Sequence, residues 1–107
     1  MYTRVVEITA KPGKARELCS TINDKVLPML RKHTGFVDET ILISDQNPSM
    51  VLGISTWKTR EDAERYNRED YPKVTDTIRN LCETTPTVRT FDVDTSTTHR
   101  VASGKAA

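Results

Sequence analysis

A chain of 107 residues can enclose one hydrophobic core and not two, so any site lies within a single domain or between copies of it. Charged residues make up 29% of the chain and hydrophobic ones 36%, which excludes the composition of a disordered protein. The formal net charge is +1 with the signs interspersed, so no basic face is offered to nucleic acid. No apolar stretch approaches the roughly 20 residues of a bilayer span. The start, Met1-Tyr2-Thr3-Arg4-Val5-Val6-Glu7, lacks the basic and apolar regions of a signal peptide, and a cytoplasmic protein is expected.

From Arg4 to Thr9, Val6 and Ile8 alternate with Val5, Glu7 and Thr9, the pattern of a half-buried strand. Lys11-Pro12-Gly13-Lys14 breaks it. Ala15, Leu18, Cys19, Ile22, Val26, Met29 and Leu30 then form the stripe of an amphipathic helix, with Pro28 predicted to kink its last turn or end it early. Gly35 stops that helix. Phe36 to Ser44 and Met50 to Trp57 read as two strands of a hairpin around Asp45-Gln46-Asn47-Pro48. Thr59, with Asp62 three residues on, caps a second helical stripe through Ala63, Tyr66, Tyr71, Val74, Ile78, Leu81 and Cys82, which Pro72 divides in two. Pro86 to Val93 is a final strand. The expected domain therefore spans 1–93, with a flexible tail over 94–107.

The order β-α-β-β-α-β is the split arrangement of ferredoxin-like α+β domains, in which two helices cover one face of a four-stranded antiparallel sheet. Alternation sends Met50, Leu52, Ile54 and Thr56 to one face of the third strand and Val51, Gly53, Ser55 and Trp57 to the other. The first two strands are also apolar on both sides. Helices shield only one face, so a homodimer through the other is expected, with Leu52 and Ile54 near its centre. Gly53 and Ser55 beside Trp57 leave room for a pocket between sheet and helices, although close helix packing would explain the same residues.

Cys19 and Cys82 have no paired cysteine or nearby histidine, so no zinc site is expected and both read as buried thiols. His33 at a helix end and His99 in the tail are explained by capping and solvent exposure. Glu61, Asp62, Glu64, Glu69 and Asp70 interleave with Arg60, Arg65 and Arg68 as a solvated helical face.

The element order, Gly35-Phe36 opening the second strand, the Asn47-Pro48 turn and Trp57-Lys58-Thr59-Arg60-Glu61-Asp62-Ala63 entering a helix resemble the antibiotic biosynthesis monooxygenase family of dimeric α+β barrels, from about Thr3 to Val93. That resemblance implies a homodimer with a pocket between sheet and helices. Members include cofactor-independent oxygenases acting on aromatic polyketides or quinols and haem-degrading enzymes. Of the haem-degrading set only Trp57 matches: Val6 holds the position of the asparagine, and no histidine follows Trp57 before the second helix ends. No cofactor is therefore implied. Where quinol-oxidising members carry a histidine, this chain reads Tyr66-Asn67-Arg68-Glu69-Asp70-Tyr71, so Tyr66, Asn67 or Tyr71 could position a phenolic substrate by hydrogen bonding. Two readings stay open. One is a cofactor-free oxygenase using Gly53, Ser55, Trp57 and the nearby Tyr66, Asn67 and Tyr71 to bind a small aromatic substrate, with no assigned catalytic residue. The other is a non-catalytic homodimer that binds a small ligand or a partner.

Overall fold

The computed structural model describes residues 1–101. The first strand, β1 (Tyr2–Thr9), starts two residues earlier than alternation suggested, because Tyr2 pairs with Trp57 on one side and Asp92 on the other. Its inward face consequently carries Tyr2 and Arg4 as well as Ile8.

The first helical stripe is continuous past Pro28 but not regular. It comprises α1 (Ala15–Thr21), a π-helical turn over Ile22–Val26, and α2 (Leu27–Arg31). The expected kink thus falls a turn earlier. Pro28, second in α2, has no N–H for the preceding turn and its ring crowds that turn's carbonyls, and the widened π turn absorbs the mismatch. Leu18, Ile22, Val26 and Leu30 are buried against the sheet. Gly35 then reverses the chain at φ 87°, where an added Cβ would also strike the Asp62 side chain.

Strands β2 (Phe36–Ile43) and β3 (Met50–Trp57) form the expected hairpin. Its turn is held by the Ser44 hydroxyl accepting from the Gln46 and Asn47 amides, and by Asn47 Oδ1 accepting from Ser49. Thr59 caps α3 (Arg60–Glu69), its Oγ1 accepting from the Asp62 amide at 3.1 Å. Pro72 lies in the first turn of α4 (Tyr71–Ile78), where its missing donor costs nothing. A 3₁₀ turn, Arg79–Leu81, leads to Cys82, which bridges to Ala10 before β4 (Thr87–Asp92).

The sheet order is β2-β3-β1-β4 with every neighbour antiparallel, and the helices pack on one face, the ferredoxin-like α+β arrangement. Trp57, Leu18, Leu30, Ile78 and Val51 are the largest fully buried side chains. The opposite face leaves Leu42 44% and Phe91 51% exposed. No described helix is long and apolar enough to cross a membrane.

Three expectations need correction. Cys82 is buried, with its Sγ donating to the Ile78 carbonyl, whereas Cys19 is only half-buried. His99 is not simply solvated: its Nε2 lies 2.7 Å from Asp38 Oδ2. Asp38 belongs to β2, at the opposite sheet edge from β4, so residues 94–99 cross the outer face near Thr56, which is buried without a helix above it. Of the tail expected over 94–107, residues 102–107 lie outside the described residues. Finally, Asp62 and Asp70 do not share the solvated face of their neighbours, as the next section describes.

Candidate functional site

The most unusual side chain in the core is one the sequence did not single out. Arg4 points inward from β1 and is 3% exposed, and it pairs with no carboxylate among the described residues. Its guanidinium lies over the rings of Tyr71, at 4.7 Å, and Tyr66, at 5.3 Å, which stabilise a cation through their faces. In its plane, Nη1 donates to Asn67 Oδ1 at 2.8 Å. Among the described residues, Nε and Nη2 have no hydrogen-bond partner, and neither does the buried Tyr71 hydroxyl. Burial pulls the Arg4 pKa down from its usual value, with Tyr66, Tyr71 and Tyr2 opposing that shift; an arginine nevertheless stays charged near neutral pH.

Register places Arg4, Ser55 and Glu39 in one row across β1, β3 and β2. Strand spacing puts the outer two roughly 10 Å apart at Cα. The three line a cavity of about 40 Å³ between sheet and helices, walled by aliphatic residues such as Ile22, Val26 and Ile41, two of them from the π turn. Of the residues expected at a pocket, Gly53, Ser55, Tyr66 and Tyr71 line this cavity. A Cβ at Gly53 would make only ordinary contact with Ile41, so its importance is the space it leaves. Asn67 serves the cavity indirectly by holding Arg4. Trp57 is placed beside the cavity, fully buried, stacked on Tyr66 with centroids 5.1 Å apart and donating from Nε1 to Ser55 Oγ at 3.0 Å.

Behind this aromatic pair sits His33, expected only as a helix-end cation; its side chain is 8% exposed. It packs edge-on against Tyr66 and Trp57 and donates from Nε2 to Asp70 Oδ2 at 2.7 Å. That bond, more than the nearby Lys73, holds the Asp70 carboxyl below its usual range. Asp62 likewise turns in toward Gly35 while pairing with Arg65 at 3.0 Å. The remaining charges, such as Arg60 with Glu64, form the solvated face expected. No group of three or more potential metal ligands converges among the described residues.

The antiparallel sheet and its helices thus leave between them a small, partly open and largely apolar cavity with a polar row at its floor. The family model described as antibiotic biosynthesis monooxygenase matches residues 1–75, and the chain belongs to that family. No curated protein matches it in sequence. Among solved structures, SnoaB, a cofactor-independent oxygenase from Streptomyces nogalater, is similar with a TM-score of 0.75 at 18% identity, over 92% of this chain and 97% of that one. A protein of unknown function from Nitrosomonas europaea superposes with a TM-score of 0.74 at 14% identity, over 89% and 90% of the two chains. A conserved protein from Methanosarcina mazei Go1 gives 0.69 at 18%, over 85% and 91%. At these identities the likeness establishes the fold.

Glu39 supplies the carboxyl group of the cavity. Burial pushes its carboxyl up to about 7 from an ordinary value of 4.5. Between those values the folded chain keeps a proton that the unfolded chain has released, so stability falls as pH rises through that window and is flat above it. Thermal unfolding of Glu39→Gln should therefore show little change at pH 5 and a gain at pH 8, of about 1–2 kcal/mol once partial solvent screening is allowed for. A gain of equal size at both pH values would mean that Glu39 titrates normally.

Proposed function

We propose that this chain is a cofactor-independent monooxygenase acting on a small aromatic compound with an ionisable hydroxyl, held in the cavity between sheet and helices. The observation that carries this reading is Glu39, a carboxylate poised near neutrality across Ser55 from a buried guanidinium. A base of that strength takes a phenolic proton near neutral pH, and the Arg4 charge offsets that of the resulting anion. The anion is the electron-rich species that meets O₂. One oxygen atom becomes a new hydroxyl on the ring, the two original hydroxyls become carbonyls, and the other oxygen atom leaves as water. All four electrons come from the substrate's own C–H and O–H bonds, as when a quinol becomes a hydroxyquinone, so no external reductant is required. Gly53, Ser55, Tyr66 and Tyr71 contact the substrate in this reading, while Asn67 and Trp57 hold Arg4, Ser55 and Tyr66 in place.

Turnover of a simple quinol under ¹⁸O₂ should put one labelled atom in the product and one in water. Glu39→Gln should slow this by about 10²-fold or more. A second reading, a ligand-binding domain without chemistry, draws support from the small resting volume of the cavity. Saturable quinol binding with no oxygen consumption would favour it over the first.

The same reading takes the protein as a cytoplasmic homodimer, joined through the sheet face that no helix covers. Leu52 and Ile54, half-buried in the single chain, sit near the centre of that surface beside the exposed Leu42. Sedimentation at micromolar concentration should give the mass of a dimer, and Leu52→Lys should give a folded monomer. A wild-type monomer would remove the dimer from this picture.

A further inference from the structure

The unpartnered atoms of Arg4 are not scattered. Nε and Nη2 occupy one edge of the guanidinium, the edge whose two N–H bonds run parallel, while Nη1 on another edge is tied to Asn67. The rings of Tyr66 and Tyr71 lie against the guanidinium carbon. What remains is a rigid two-pronged donor that matches a pair of oxygens sharing a negative charge, as in a carboxylate or a phosphate, and the aliphatic walls beside it favour the carboxylate of an apolar acid. The Tyr71 hydroxyl, also unpartnered, can add a third donor from the same lining.

We infer that Arg4 is an anchor for a carboxylate, and that the compound bound in this cavity is a small aromatic acid whose ring lies among the aliphatic walls. This rests on the pocket assignment above and narrows its substrate class to hydroxylated aromatic acids. The carboxylate sits on the Arg4 fork, and a ring hydroxyl reaches along the Ser55 row toward Glu39. The anchoring explains why the chain would keep a buried cation with no counter-ion among the described residues: the ligand brings the counter-charge. In the resting chain no water reaches the fork, and about 40 Å³ is less than the roughly 150 Å³ that accommodates benzene in an apolar cavity. Entry therefore requires the wall to yield, and its π turn, Ile22–Val26, is the least regular element there.

A ligand carboxylate also adds negative charge to a site whose other charged or titratable groups are Arg4 on β1, Glu39 on β2, Tyr66 on α3 and Tyr71 on α4. Its binding should favour the protonated form of Glu39. Affinity is then greater at pH 6 than at pH 8, although the ligand itself stays ionised throughout.

The test uses benzoate, its neutral near-isostere benzamide, and phenol, read by the fluorescence of Trp57, the one tryptophan of the chain. Benzoate is expected to bind at least tenfold more tightly than benzamide at pH 6 and to weaken severalfold by pH 8. Arg4→Lys, which keeps the charge and loses the fork, should weaken benzoate at least tenfold without matching loss for benzamide. Equal binding of benzoate and benzamide, or no benzoate binding at millimolar concentration, would overturn the inference. Phenol binding more tightly than benzoate would overturn it in favour of a single phenolate oxygen on the fork. Failure of the oxygenase reading is distinguishable: benzoate would still bind through Arg4, and no hydroxylated benzoate would consume oxygen.

Discussion

A guanidinium that stays charged and is shut away from water has to be compensated by its surroundings, and much of this fold is arranged around that requirement at Arg4. Two tyrosine rings from different helices lie against it and an asparagine takes one of its edges. Those three residues flank the break between α3 and α4 that Pro72 and Asp70 create. A single uninterrupted helix would drift along one axis. The break lets Tyr66 and Asn67 approach from one direction and Tyr71 from another. His33 reinforces that corner, since its bond to Asp70 ties the end of the first helical layer to the junction. The compensation is still incomplete, and incomplete satisfaction of a buried charge beside a cavity is a property of binding sites more than of cores.

The same geometry separates two tasks within one row of side chains. Arg4 carries a permanent positive charge, and Glu39 carries a charge that depends on pH near neutrality. Ser55 lies between them, its Oγ accepting from Trp57 Nε1. Apolar walls keep the local dielectric low, which lets both groups act on a bound molecule more strongly than they would in water.

Much of the fold is legible in the sequence because it follows from periodicity and punctuation. Alternation in β1 and β3, the turn at Asn47-Pro48, the Thr59 cap and the division at Pro72 each have a local cause. Gly53 and Ser55 are visible as pocket candidates from the alternation of β3, whereas Tyr66, Asn67 and Tyr71 come from the family resemblance. Arg4 and Glu39 are not, since a charged residue in an alternating strand normally marks the solvent face. One signal is present: Arg4, at the start of the alternating run, has the parity of Val6 and Ile8 and so shares their face. Glu39 is harder, because the irregularity between Phe36 and Asp38 shifts the parity of β2. His33 and His99 depend on partners 37 and 61 residues away, which no local pattern reveals.

If Arg4 is retained for a ligand and not for stability, removing its charge should not harm the empty fold. Replacing it with methionine fills similar volume without a buried cation or stranded donors. Thermal unfolding of ligand-free Arg4→Met is expected to give a Tm equal to or above that of the wild-type chain. A fall of roughly 4 °C or more, about 1 kcal/mol for a domain of this size, would show that the guanidinium is a structural element and contradict its assignment as the anchor of the site.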